Sequence, residues 1–413
     1  MNGNNTSTVE NTSGGYGMLE VHVFTDRMGS PAAEALVRVI DPDTGAVLEE
    51  ARTNMTGRIP PVTLATPPLS NSLQPGQPRP FNQYNLTITL EGFEEASVEN
   101  VQLYPTCTAL QNVVLKPLYG NILIPYPVLW GDFPPKIPES EVKKLPFPKD
   151  LVVLPRPVVP GLIIVHTGKP DDTTAPNYTV TFKEYIKNVA SSEIYATWPR
   201  ETLKANILAI LSFTMSRVYT EWYRSKGYDF TITSSTAYDQ AFTFGRNIYQ
   251  EISEVVDEVF TTYISRQDIV QPLFTQYNDG IQVDREGWLS QWGSKNLGEK
   301  GYTAVQILKN YYGYDIVLKE AEKVEGIPIS FPGTVLKIGS TGEYVKVIQQ
   351  QLNAISENYP LIPKLVVDGI YGEDTAASVK IFQEVFGLPT TGEVNYPTWY
   401  RISEIFLAVT MPT

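Results

Sequence analysis

Cys107 is the single cysteine of the 413-residue chain, and His22 and His166 are its only histidines. One thiol cannot form an intramolecular disulfide or a cysteine-cluster metal site, and two histidines are a poor basis for zinc chemistry. Zinc amidase and metallopeptidase chemistry is therefore disfavoured unless carboxylates supply most ligands, and no cofactor is expected. Cys107 itself reads as a small buried apolar residue. Glu193 follows Ser191 and Ser192 ahead of an apolar-periodic helix. On its own it reads as a helix-start acid, a position that the helix dipole favours by about 0.3 to 1 kcal/mol. Trp288 and Trp292 are four apart and could share a helix face, suited to core packing or to stacking on sugar.

The elements that must position these groups fall into three stretches. In residues 18–118, apolar residues alternate through Leu19, Val21 and Val23, Val37 and Val39, Leu86, Ile88 and Leu90, and Val113 and Leu115. Together with the turn residues of 41–45 and 54–57, this predicts an antiparallel β-sandwich. Ten prolines between Pro125 and Pro160 exclude helix and central strand there and make the stretch an extended, protease-accessible connector. Residues 178–318 begin with a strand-like YTVTF. Helices are predicted over 198–219, with Leu203, Ile207, Ile210, Leu211, Thr214 and Val218 on one face, and over 241–263. Residues 334–405 carry two periodic helices, 343–355 and 373–386, and a short third after Asn395.

Bulk properties narrow the partners. A net charge of -13 gives no general attraction to phosphate backbones or anionic lipid, so neither nucleic acid nor membrane is an expected partner. No apolar run reaches membrane-spanning length, and the first fifteen residues lack the basic and apolar regions of a standard secretory signal. The fold class is multidomain α+β: a tail over 1–17, a β-sandwich over 18–118, a Pro-rich connector over 119–177, a mixed α/β segment over 178–325 and a three-helix module over 334–408.

The last module carries LKIGSTG at 336–342, then Asp368, Gly369, Ile370, Tyr371 and Gly372 in one turn, with Phe382, Gln383, Gly392 and Trp399 beyond. On these residues it resembles the small three-helix peptidoglycan-binding domains. The resemblance implies a groove for wall glycan or peptide beside the turn of Asp368, Gly369, Tyr371 and Gly372, with Trp399 in the same module.

The middle segment carries YIKNVASSEIYATWPRETLKANILAILSF at 185–213, STAYDQAF at 235–242, QPLFTQYNDG at 271–280 and GYTAVQILKNYYG at 301–313. These stretches, in this order, resemble the stage II sporulation protein D family. By that resemblance Glu193 matches the catalytic glutamate. Asp239 and Gln240 match a polar motif that would bond sugar hydroxyls or orient Glu193, and Tyr277, Asn278 and Gly280 match a loop near the active site. A single carboxyl suits a lytic transglycosylase, which protonates the glycosidic oxygen and then takes the proton of the muramic 6-hydroxyl. An acid in that role needs apolar walls to stay protonated, and Ile194, Tyr195 and Trp198 are the candidates.

Taken whole, the chain resembles the SleC-type clostridial spore cortex-lytic enzymes. This implies a precursor latent until a subtilisin-like germination protease removes the N-terminal region, with cleavage near Asp150, Leu151 and Val152. It also implies residence at the spore cortex or the coat-cortex boundary, with cortex peptidoglycan as partner. Some members of the sporulation family hold a metal through His and Cys, and residues 178–318 have neither. Amidase activity and a non-catalytic cortex-binding scaffold are the alternatives.

Overall fold

Alternation of apolar residues builds the N-terminal sheets. The computed structural model of the chain describes residues 14–26, 29–118, 123–124, 154, 156–321, 323–324 and 331–410. The expected cleavage region at Asp150, Leu151 and Val152 therefore lies outside the described residues. Strands β1 (Gly15–Asp26), β2 (Ser30–Pro31), β3 (Leu36–Ile40), β4 (Val47–Arg52), β5 (Val62–Thr66), β6 (Asn82–Thr89), β7 (Ala96–Leu103), β8 (Thr108–Val114) and β9 (Leu123–Ile124) fall into two sheets. One joins β8, β1, β2 and β5; the other runs β4-β3-β6-β7-β9. Leu19, Val21, Val23, Val37, Val39, Leu86, Ile88, Val113 and Leu115 are all buried. The pairing is not purely antiparallel as the alternation predicts. β1 and β8 run parallel, from Met18↔Thr108 to Phe24↔Val114, and β7 and β9 are parallel as well. Residue alternation specifies which face is buried and is blind to strand direction.

The middle of the chain is mixed. β10 (Val158–Val159), β11 (Leu162–His166) and β12 (Asn177–Thr181) lead into α1 (Phe182–Glu193) and α2 (Arg200–Tyr219). Then come β13 (Ile232–Thr233), β14 (Ile248–Tyr249), α3 (Gln250–Val259), β15 (Thr262–Arg266), β16 (Tyr277–Asn278) and β17 (Leu289–Ser290). α4 (Gln291–Glu299), α5 (Ala304–Tyr312), β18 (Ile316–Glu320) and β19 (Lys323–Val324) complete it. α1 starts at Thr181, whose hydroxyl accepts from Glu184 N while the Glu184 carboxylate accepts from Thr181 N. α2 is buried nearly all round rather than on the one face predicted, as befits a helix at the centre of a domain. The single helix expected over 241–263 is broken. Gly245 takes φ +80°, residues 248–249 pair with β8, and only 250–259 are helical.

Beside α2 lies a fully buried ion pair, Arg217 Nε to Asp239 Oδ1 at 2.8 Å. Asp239 Oδ2 also accepts from Tyr223 OH at 2.6 Å and from Thr233 N and Oγ1 at 3.0 and 2.7 Å.

The C-terminal module consists of α6 (Glu343–Asn358), α7 (Glu373–Val385) and α8 (Tyr396–Thr410). Two glutamines lock its turns in the same way. Gln349 Oε1 accepts from Gly369 N at 2.9 Å, and Gln383 Oε1 accepts from Gly392 N at 2.8 Å. The module docks on the middle segment through buried charges. Lys183 and Lys187 of α1 reach Asp257 of α3 at 2.9 Å each, and Lys183 also meets Glu404 of α8 at 3.3 Å. Arg401 holds Glu404 from within α8 at 2.9 Å. Burial opposes the charge on Glu404, but Lys183, Arg401 and Lys187 outweigh it and hold the carboxyl far below the usual range.

The N-terminal sheets touch the same module. Asn358 Nδ2 donates to Gly29 O at 2.8 Å, and His22 faces a small cleft with Arg58, Tyr359, Phe386 and Arg401. Burial pushes the His22 pKa down to about 4, against the raising effect of Glu20.

Two tests of these packing roles follow. Asp239→Ala leaves Arg217 buried without its counter-charge and lowers stability to denaturant by about 3 to 5 kcal/mol. A residue that served only to contact substrate would leave the unfolding midpoint in place. His22 protonates at about pH 6.5 when exposed and about pH 4 when folded, so between those values the unfolded state binds more protons. Acid in that window weakens the fold by up to about 3 kcal/mol, and His22→Gln is expected to flatten the thermal stability profile between pH 6.5 and 4 relative to the wild type.

Candidate active site

Glu193 is the last residue of α1, not a helix-start acid before α2. The Ser191-Ser192-Glu193 run closes a helix that the periodicity of the flanking residues does not reveal. Its carboxyl therefore sits at the negative end of a helix dipole. Oε1 accepts from Ala241 N at 2.9 Å and from Tyr277 OH at 3.2 Å, and Oε2 accepts from Gln291 Nε2 at 3.1 Å. Three donors, from the loop of Ala241, the strand of Tyr277 and the first residue of α4, thus hold one carboxyl group.

Behind it stands Gln240, with no exposure. Its Oε1 accepts from Tyr185 OH at 3.1 Å and Thr214 Oγ1 at 2.8 Å, while its Nε2 donates to Ile210 O at 3.2 Å and to Tyr277 OH at 3.0 Å. With two hydroxyls on the oxygen and a backbone carbonyl on the nitrogen, the amide has only one orientation. The Tyr277 oxygen accepts from Gln240, so the tyrosine proton points to Glu193. Burial first, and the neighbouring Glu193 charge second, raise the Tyr277 hydroxyl well above its usual range, so Tyr277 is a donor at any physiological pH.

Glu193 lies on the wall of a cavity of about 460 Å³. Ile194, Tyr195, Trp198 and Trp292 give it an aromatic and apolar side, with Trp198 and Trp292 ring centroids 5.0 Å apart and Tyr195 5.5 Å from Trp292. Asn278 lines the opposite polar part, and both its amide atoms are buried without a hydrogen-bond partner. Asp279 also lines the cavity, with its carboxylate accepting from the N–H groups of Ile281, Gln282 and Val283. Among the described residues no three His, Cys, Asp or Glu side chains cluster as metal ligands.

Part of the cavity wall comes from the N-terminal sheets. Asn71, Gln74, Gly76 and Gln77 of one loop, and Gln102 and Tyr104 at the end of β7, line it beside Glu193. The loop is fastened at Ser72: Trp198 Nε1 donates to Ser72 O at 3.0 Å and Thr197 Oγ1 to Ser72 Oγ at 2.9 Å. β14 extends the first N-terminal sheet by pairing with β8, and Asn247 exchanges two hydrogen bonds with the Gln102 backbone, at 3.1 and 3.0 Å.

The predicted site residues therefore divide. Glu193, Trp198 and Asn278 line the cavity, and Tyr277 touches Glu193 from behind. Gln240 is fully buried behind Tyr277 and does not line the cavity, and Asp239 is committed to Arg217, Tyr223 and Thr233. Trp288 and Trp292 do not share a helix face, since α4 begins at Gln291; Trp292 alone reaches the cavity. In the C-terminal module Tyr371 and Trp399 are buried, Asp368 accepts from Gln349 and Ile370 N, and Gly369 has φ +76° with Lys346 and Gly342 packed against it. Asp368, Gly369 and Tyr371 build the turn and Trp399 packs within α8, while Ile338, Tyr344, Val366 and Ile370 are among the exposed apolar residues of the module. Gln291, Ala241 N and Arg246 were missed, because their approach to Glu193 from distant stretches of chain leaves no local pattern.

Two family models match parts of the chain. The stage II sporulation protein family model matches residues 171–264, and the peptidoglycan binding domain model matches 341–402. No curated protein matches the chain. Among solved structures, the SleB N-terminal domain is 30% identical over 19% of this chain and 99% of its own, with a TM-score of 0.17. The 3-chlorocatechol 1,2-dioxygenase of Rhodococcus opacus 1CP is 14% identical, over 26% of this chain and 62% of its own, with a TM-score of 0.18. The TIE protein of Bacillus anthracis is 12% identical, over 40% and 27%, with a TM-score of 0.18. A stage II sporulation protein segment followed by a peptidoglycan binding domain gives the chain the architecture of a spore cortex-lytic enzyme.

Proposed function

We propose that the chain is the latent form of a lytic transglycosylase that cleaves the glycan strands of spore cortex peptidoglycan during germination. In this reading 18–118 is the inhibitory segment, 178–325 the catalytic domain and 334–408 the wall-binding module. The observation that carries it is the Glu193 carboxyl on the cavity wall, held by Ala241, Tyr277 and Gln291, while Asp279, the other acid lining the cavity, is engaged by the backbone of its own turn. A hydrolase of the usual two-carboxylate type needs a second acid to activate water or form a covalent link, whereas one carboxyl suffices when the nucleophile belongs to the substrate.

The chemistry closes on itself. Glu193 gives its proton to the glycosidic oxygen as the bond from that oxygen to the muramic C1 breaks. The 6-hydroxyl oxygen of the same sugar bonds to C1, and its proton passes to the Glu193 carboxylate, restoring the acid. Both lone pairs of Oε1 are engaged by Ala241 N and Tyr277 OH, so the travelling proton belongs to Oε2. Gln291 steadies that atom from one side. Tyr195, Trp198 and Trp292 supply the flat faces on which sugar rings stack and the apolar surface that keeps water from competing with the 6-hydroxyl.

Latency is supported by the loop of 71–77 and by Gln102 and Tyr104, which occupy cavity wall that a polymeric glycan would have to cross. Proteolysis near 150–152, with departure of the N-terminal sheets, would open that side.

Mass spectrometry of fragments released from cortex separates the readings. Cleaved protein is expected to yield 1,6-anhydromuramic ends and intact precursor few. Glu193→Gln removes an acid/base worth about 10²- to 10⁴-fold in rate. Free reducing ends would indicate a hydrolase, released peptides an amidase, and no product from cleaved wild type a scaffold. Tyr277→Phe takes one charge-assisted bond from Oε1 and is expected to lower kcat by about 10- to 100-fold with little change in KM, measured on the same substrate.

A further inference from the structure

Arg246 is 8% exposed and lines the cavity with Glu193. Its Nε donates to Asn247 O at 2.9 Å, its Nη1 to Ser192 Oγ at 2.9 Å and its Nη2 to Gln102 Oε1 at 3.4 Å. All three acceptors are neutral, and among the described residues no carboxylate forms an ion pair with it. Lys183, Lys187, Arg217 and Lys295 are buried to a similar degree, and each meets a carboxylate within 3 Å. A buried guanidinium without a counter-charge is costly to keep. It is also preorganised for an incoming carboxylate, which it can bind with two parallel bonds.

The longest of its three bonds runs to Gln102, and Gln102 belongs to the N-terminal sheets. The amide oxygen of Gln102 thus holds the place of an acceptor that the catalytic domain does not itself supply. Peptidoglycan offers such an acceptor wherever a muramic residue keeps its open lactyl or peptide substituent rather than the δ-lactam. Both sugars of the repeat have an N-acetyl group and a 6-hydroxyl, so neither feature tells Glu193 which ring to attack. The substituent on O-3 of muramic acid does, and it ends in a carboxylate.

Resting on the glycan-cleaving reading above, we infer that Arg246 forms an anion subsite which takes the carboxylate carried on muramic O-3 and so sets the register of the strand at Glu193. In the latent chain the Gln102 amide oxygen occupies this subsite.

Binding of small sugars to the full-length protein, followed by titration calorimetry, tests the assignment without any bond being cut. The probes are N-acetylglucosamine, N-acetylmuramic acid and N-acetylmuramoyl-L-alanine. At least one muramic probe is expected to bind about tenfold or more tightly than N-acetylglucosamine. The better of the two identifies the lactyl or the peptide carboxylate as the source. Gln102→Ala is expected to widen the preference, Arg246→Lys to keep part of it and Arg246→Gln to abolish it. Equal affinity for all three probes, no binding by any, a preference that survives Arg246→Gln, or one that Gln102→Ala leaves unchanged would overturn the subsite; the last outcome decides even if Arg246→Gln fails to fold. Since the readout is binding, a failed search for anhydro products leaves this result standing on its own.

Discussion

A buried carboxamide cannot be left half satisfied, and Gln240 shows how much structure that demand can organise. Its four partners come from α1, α2 and the loop of β16. Meeting all of them fixes the separation of α1 from α2, sets the rotation of the Tyr277 hydroxyl and, through it, the face of Glu193 that meets the cavity. The Arg217–Asp239 pair performs the corresponding task a few ångströms along the chain, anchoring the strand-to-loop segment that carries Gln240. The placement of the Glu193 carboxyl is thus a consequence of core packing. No part of it depends on a long exposed side chain finding its place.

The same economy of means governs the docking of the C-terminal module. Lys183, Lys187, Asp257, Arg401 and Glu404 are buried together, and their mutual attraction must offset a large desolvation cost. Apolar residues in their place would hold the module as firmly. Ion pairs of this kind discriminate between orientations, because a sliding apolar contact tolerates displacements that an ionic one does not. Phe260, packed against Tyr396 and Tyr400, supplies the apolar part of the joint. The wall-binding surface is therefore presented at a set angle to the cavity.

Sequence patterns spoke clearly wherever one element buries one face. The alternation in β1, β3 and β6 and the spacing in α6 and α7 are of this kind, and so are the turns at Gly369 and Gly392. They were silent or misleading where burial is complete or local. α2 has polar residues such as Thr202, Asn206 and Thr214 facing inward, each bonded to backbone or to a neighbouring side chain, so its hydrophobic period hides its true centrality. α1 was missed because its buried lysines break the apolar repeat. At the site, Glu193 and the loop of Tyr277 and Asn278 were legible through family resemblance. The division of labour between Asp239, which stabilises, and Gln240, which orients, required the hydrogen bonds themselves. Arg246 and Gln291 carry no signal in the sequence, since what makes them part of the site is contact across 50 residues or more.

The pairing of β14 with β8 makes a single sheet out of segments that lie on either side of the proline-rich connector. While the connector is whole, the two halves of that sheet meet at the high local concentration of a tethered pair, and separation is reversed at once. A cut in the connector changes the order of the reaction without touching a single contact between them. Re-association would then be bimolecular, so dilution and diffusion, rather than any change in the fold, would decide how long the N-terminal sheets stay in place. Under the proposed latency, release would behave as a timer set by the off-rate of one sheet edge and a few side-chain bonds, started by proteolysis but not completed by it.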